Sequence, residues 1–233
     1  FKPFVFTAVI PGLFNSAIPV FSSGSSFRWL RDQVCADLVE QANKDGMDVY
    51  DLMTSLASTE PVGSNGILFN PSLAGGSSID ASINIRGAFL GLDLGTKRSD
   101  LIRAAMEGVA MEMRIALDEL RKKMPVTDEI VVVGGGSRSK LWRQIYADLF
   151  KLRIIKTNID QQAAALGAAA LAAVGTGYWK DFEIIDEIHE VEDFTDPIQE
   201  NVAIYEKIMP VFLKAGNYLA EIGDLLKSIQ TNP

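Results

Sequence analysis

Residues 130–150 read IVVVGGGSRSKLWRQIYADLF, and the fold turns on how this stretch is understood. Ile130 to Val133 are β-branched and favour a strand. From Ser139 to Phe150, Leu141, Ile145 and Leu149 recur at the spacing of one helix face. Between them, Gly134, Gly135 and Gly136 carry no side chains, so a flat ring or a phosphate could approach the main chain directly. The helix amino terminus that follows would add oriented N–H donors and a positive partial charge. Ser137 and Ser139 are expected to place hydroxyls at the mouth. A tight turn closed by a helix cap accounts for the same residues. Neither G-x-x-x-x-G-K-[ST] nor G-x-G-x-x-G fits the spacing. The turn by itself leaves both readings open.

Working outward, the order is strand 129–133, helix 139–150, strand 153–156 and helix 161–174. Such βαβα alternation predicts an α/β sheet covered by helices, with parallel pairing in this half. The apolar run AAALGAAALAAVGTG is too short for a bilayer, and its small side chains suit close approach to a neighbouring backbone. Upstream, strands are predicted over 4–10 and 16–21, one helix over SSFRWLRDQVCADLVEQANKDG and a short one over DVYDLMTSLAST. SDLIRAAMEGVAMEMRIALDELRKK is a long helix, with Ser99 as its cap and Ile102, Ala105, Val109, Met113, Ala116 and Leu120 on one face. The tail from Ile198 is one amphipathic helix or two, with Pro210 as a kink or break.

Composition narrows the function classes. The chain has 233 residues, is 48% hydrophobic and carries a net charge of −8, which suits a soluble globular protein. The negative surface argues against nucleic acid and against an anionic membrane as partners. One cysteine and one histidine exclude a disulfide framework and a Cys/His zinc cluster, and point to a reducing, cytoplasmic setting. Cys35 reads as core packing and His189 as a surface residue. The acidic stretch DFEIIDEIHEVEDFTDP reads as a solvated segment rather than a metal site. Because the chain opens inside an apolar run without an initiator Met, it reads as a piece of a longer one.

The company the glycine turn keeps is more specific. VVVGGGSRSKLWRQIYADLF followed by AAALGAAALAAVGTG resembles the C-terminal nucleotide-binding domain of the FGGY carbohydrate kinases, nearest their xylulokinase-like members. PGLFNSAIPVFSSGSSFRWLRD, FNPSLAGG and RGAFLGLDLGTKRSDLIRAAMEGVAMEMR are similar to the family in order and spacing, over about residues 5–178. The resemblance implies an actin-like, ribonuclease-H-like α/β fold, a mixed sheet flanked by helices with extra C-terminal helices. It implies transfer of the ATP γ-phosphoryl group to a ketose or polyol hydroxyl with Mg²⁺. Its site residues carry over to Gly135, Gly136 and Ser139 for adenosine, with Gly134 shaping the turn, and to Gly91 and Gly95 near the phosphates. Residues 1–180 then form the nucleotide-binding domain and 181–233 a helical extension packed on it. The catalytic aspartate and most sugar-binding residues are expected in an N-terminal domain outside this chain, which alone is expected to be inactive. The partners are a small sugar or polyol and ATP or ADP, with a homodimer left open.

Departures from the family pattern bear on the substrate. Where relatives place Gly-Glu-Arg-x-Pro, this chain has Gly75, Gly76, Ser77, Ser78 and Ile79, and Gln162 replaces a frequent Glu. Glu107 and Glu112 lie five apart on the long helix and face different ways, so they read as structural, as does Arg103. The Met residues of AAMEGVAMEM read as core filler. Trp29, Trp142 and Trp179 read as core or interface anchors. A nucleotide-dependent switch of the same fold, without sugar chemistry, is the competing function. Fold alone does not separate the two.

Overall fold

The computed structural model describes residues 3–231, which divide into two compact units. The first comprises Ala17–Val126 with the C-terminal segment from Gln199, and the second comprises Val5–Ser16 with Thr127–Ile198. The sequence boundary at residue 180 is therefore not where the chain divides: residues 181–198 complete the second unit and the last helix belongs to the first.

In the first unit, α1 (Ser23–Gln33), α2 (Ala36–Asp45) and α3 (Val49–Ser58) precede β3 (Leu68–Asn70) and β4 (Ala88–Leu90), which pair antiparallel. The helix predicted as one element breaks at Val34 and Cys35, whose amides both donate to the Leu30 carbonyl. That break lets Phe27 and Leu30 on one helix, and Leu38 and Ala42 on the next, turn inward around the fully buried Cys35. At the centre lies α4 (Arg98–Arg121), and α8 (Gln199–Thr231) belongs to the same unit. From Ile102 to Glu112, α4 is buried on every side, so it is a central core helix rather than one with a single apolar stripe. Gly108 makes this possible: a Cβ there would lie 1.9 Å from the Phe69 carbonyl oxygen of β3. Met106 and Met111 fill the same core, as expected. The cap of α4 differs from expectation. Asp100 accepts the Lys97 amide at 2.8 Å, whereas the Ser99 hydroxyl donates to Glu60 at 2.5 Å.

The second unit holds a three-stranded sheet in the order β5 (Glu129–Val131), β6 (Arg153–Thr157), β7 (Val191–Thr195). β5 and β6 are parallel, as the alternation predicted, with Ile130 opposite Ile154. β7 runs antiparallel to β6 and comes from the acidic segment expected to be merely solvated. Its acidic side chains are paired: Arg143 meets Asp193, Lys156 meets Glu192, and Arg153 meets Asp196 just beyond the strand. β1 (Phe4–Thr7) and β2 (Phe14–Ala17) are shorter than predicted and pair with each other. Pro19 offers no amide to extend β2. Two helices, α5 (Lys140–Phe150) and α6 (Ala163–Gly175), follow β5 and β6, and the short α7 (Ile184–Ile188) precedes β7. Of α6 only Ala170 is buried, so its small side chains do not serve close packing among the described residues. α8 runs through Pro210 without a break.

Candidate functional site

The glycine turn sits where β5 gives way to α5. Ile130 and Val131 complete the ladder with β6, and the Val132 amide adds one more bond, to the Ile155 carbonyl, at 3.1 Å. The chain then leaves the sheet at Gly134, whose φ of 90° and ψ of −176° lie in a region essentially reserved for glycine. Both its polar groups are held: the amide donates to the Asp160 carbonyl, and the carbonyl accepts from the amide and hydroxyl of Ser137. Ser137 is therefore fully buried beneath the turn, and its hydroxyl is not at the mouth as expected.

Gly135 and Gly136 open the single helical turn that leads into α5. Among the described residues their amides make no hydrogen bond, and Gly135 is exposed. A Cβ on Gly135 would approach nothing nearer than the Gln161 amide nitrogen at 3.7 Å, and one on Gly136 nothing nearer than the Tyr146 hydroxyl at 3.7 Å. A side chain at Gly135 would thus have room, whereas one at Gly136 would pack in ordinary contact against Tyr146 and Trp142. Ser139 caps α5 by accepting the Trp142 amide at 3.3 Å, so its oxygen is committed to the helix while its hydroxyl proton is free to donate.

Under the turn lies an aromatic ladder that the helical pattern did not single out. Trp142, Tyr146 and Phe150 follow at steps of four on α5, with ring centroids 5.4 Å and then 5.3 Å apart. It flanks the Ile145 and Leu149 stripe and gives the turn a rigid floor. Burial pushes the Tyr146 phenol well above its usual range, so it stays neutral. Arg143 completes the floor: its Nη1 donates to the carbonyls of Ser137 and Arg138, and its Nη2 pairs with Asp193 at 2.6 Å.

Gly91 and Gly95 belong to the first unit, in the exposed loop between β4 and α4. Gly91 has φ of 86°, and a Cβ there would lie 2.6 Å from the Gly66 carbonyl, so packing alone requires glycine. The Gly95 amide is taken by the Asp93 carboxylate at 2.8 Å, which also accepts from Thr96. The glycines at 134, 135 and 136 and Ser139 thus share one turn, whereas Gly91 shows a structural need of its own.

Elsewhere in the first unit, Glu107 is buried and saturated: it accepts from the Gly63 amide, Ser64, Arg103 and Tyr205. That confirms its structural reading. Glu112 is different. It lines a small cavity with Asp80, and burial and that neighbouring carboxylate push it up to about 8. Among the described residues no three His, Cys, Asp or Glu side chains gather as metal ligands, and no helix is long and apolar enough to cross a membrane.

A mixed sheet with a parallel βαβ pair, and a glycine turn at the head of the helix that follows, defines the class: an actin-like, ribonuclease-H-like α/β protein. Comparison with known proteins names the family. Residues 13–176 match the C-terminal domain of the FGGY family of carbohydrate kinases, and the chain belongs to that family. It is similar to gluconokinase from Bacillus subtilis, at 31% identity over 92% of this chain and 42% of that protein. It is also similar to xylulose kinase from Bacillus subtilis, at 32% identity over 74% of this chain and 34% of that protein. Among solved structures, the ligand-bound xylulose kinase from Lactobacillus acidophilus superposes with a TM-score of 0.73 at 28% identity, covering 89% of this chain and 40% of the other. The chain therefore spans about 40% of the length of the relatives it matches.

Proposed function

We propose that this chain is the nucleotide-binding part of an ATP-dependent carbohydrate kinase that phosphorylates a sugar or polyol hydroxyl. The observation that carries this reading is the pair of unpartnered amides at Gly135 and Gly136, at the head of α5 inside the region matched by the family. In this reading the adenosine lies along Gly135 and Gly136, Gly134 sets the turn, and Ser139 donates at its edge. Gly91 and Gly95 lie in the first unit, and a phosphate role for them rests on the family resemblance alone.

Bound ATP supplies the phosphoryl group. Transfer depends on positioning and on stabilising charge rather than on covalent chemistry by the protein. The residues here bind and orient; none is assigned as the catalytic base, which in this reading comes from the further length that the relatives possess. A magnesium ion would find no ready-made acidic cage among the described residues, so phosphate oxygens and water would supply most of its ligands. The setting is cytoplasmic in this reading, with neither nucleic acid nor membrane as partner. Because the relatives are named for gluconate and xylulose, the acceptor panel must include sugar acids as well as ketoses and polyols.

The test is ADP release by the complete reading frame with Mg-ATP across that panel. Strong stimulation by one acceptor establishes the kinase and names its substrate. Nucleotide binding without stimulation by any acceptor favours a switch of the same fold. Gly136→Val is the companion variant. Its first side-chain carbon would meet Tyr146 and Trp142 at ordinary contact, 3.7–4.0 Å, and the added methyls crowd the turn beside the unpartnered amides. ATP affinity falls by about tenfold or more, the loss of one well-made contact.

A further inference from the structure

Arg143 is a charged side chain only 3% exposed, yet its Nε has no hydrogen-bond partner. A buried unpaired donor is costly and persists where the rest of the group is held firmly in place. Here the outer nitrogens do the holding. Nη1 lies 2.7 Å from the Ser137 carbonyl and 3.4 Å from that of Arg138, and Nη2 lies 2.6 Å from the Asp193 carboxylate. Because peptide units are planar, fixing these two carbonyls fixes the planes of the 137–138 and 138–139 peptides. The second of these carries the Ser139 amide, which donates to the Gly136 carbonyl at 3.3 Å. Orientation thus passes from Asp193 through Arg143 to the 136–137 peptide, the unit next to the one that carries the unpartnered Gly136 amide.

Resting on the nucleotide-binding reading above, we infer that Arg143 is a positioning residue for the glycine turn, and that Asp193 on β7 sets the turn's affinity for nucleotide by holding Arg143 in register. Asp193 lies beyond residue 176, where the family match ends, so a segment outside the matched domain controls its ligand loop. β7 is well placed to do so. It pairs with β6 and is continued by the exchange between Asn158 and Glu190, two residues short of Asp160, whose carbonyl holds the Gly134 amide. Control acts on the shape of the turn and not on the acceptor.

The experiment uses the complete protein and titrates ADP and ATP by calorimetry into the wild type, Asp193→Ala, Asp193→Glu and Gly136→Val. Asp193 is about half exposed, so its removal leaves a folded chain, whereas truncation of Arg143 could unfold it. Asp193→Ala is expected to weaken both nucleotides by about tenfold. It should raise the KM for ATP while leaving kcat at saturating ATP and the acceptor KM unchanged, and Asp193→Glu should recover most of the affinity. If Asp193→Ala binds like the wild type while Gly136→Val does not, the inference fails and the nucleotide reading stands. An equal shift in ATP and acceptor KM with a fallen melting temperature would mark Asp193 as merely structural and also sink it. No binding by the wild type overturns both.

Discussion

At single positions, the glycines of this chain are required for different reasons. Gly108 admits the Phe69 carbonyl where a Cβ would stand 1.9 Å away, and backbone cannot move aside as a flexible side-chain tip can. Gly108→Ala should therefore cost on the order of 3 kcal/mol or more, read by chemical denaturation, as over-packing does in a central core. Gly134 meets no neighbour within 4 Å but holds a backbone conformation that L side chains avoid. Gly134→Ala should cost about 1–3 kcal/mol through strain and also weaken nucleotide binding, because the turn cannot keep its shape. An unchanged midpoint in either variant would refute the corresponding argument. The sequence announced that three glycines in a row mattered, but not which had its conformation forced and which could take a side chain at ordinary contact. That distinction depends on Asp160, Gln161 and Tyr146, which no local pattern ties to the turn. Ser99 misled for a related reason: it and Asp100 are both good capping residues, and Glu60 from another element claimed the serine hydroxyl.

Among the elements, α4 and α8 show how polar groups can fasten helices in a core. The Tyr205 hydroxyl of α8 donates to Glu107 at 2.9 Å, and burial raises its own titration far above the usual range. Tyr205→Phe should cost about 1–3 kcal/mol, since Glu107 loses one of its donors in a buried site. Glu112 gives a pH dependence of uncommon sign. Its folded value, about 8, lies above its unfolded value, so between those limits the native state binds more protons than the unfolded chain. Its contribution is fully present at acid pH and is lost as pH rises towards 8 and beyond. Thermal denaturation of the wild type should show stability falling across this window. Glu112→Gln should flatten the slope and be the more stable of the two above pH 8, by on the order of 1 kcal/mol. A slope unchanged in the variant would refute the assignment. Helical periodicity revealed α3, α4 and α5 because each buries apolar residues at regular steps. β7 stayed hidden because its carboxylates Glu192 and Asp193 are neutralised by Lys156 and Arg143, which lie in other elements.

In the molecule as a whole, both units leave apolar surface uncovered. The first surrounds α4 on every side but exposes Val211, Ile222, Leu225 and Ile229 on α8, and the second leaves apolar surface open on the β1–β2 hairpin. Val5, Phe6, Val9, Ile10, Leu13 and Phe14 are all exposed, and among the described residues the two strands pair only with each other. Contiguous apolar patches of this kind are rare on soluble monomers, and unpaired strand edges recruit other chains. The net charge of −8 opposes close association, so the balance favours soluble self-association over precipitation. The 233-residue chain produced by itself should therefore bind an apolar fluorescent dye and show concentration-dependent oligomers by analytical ultracentrifugation. Replacing Phe6 and Phe14 with lysine should reduce both signals, because it charges the hairpin without touching either buried core. If the unaltered chain is monomeric and dye-silent at tens of micromolar, the hairpin is covered from within, and the exposure of these six side chains cannot hold in solution.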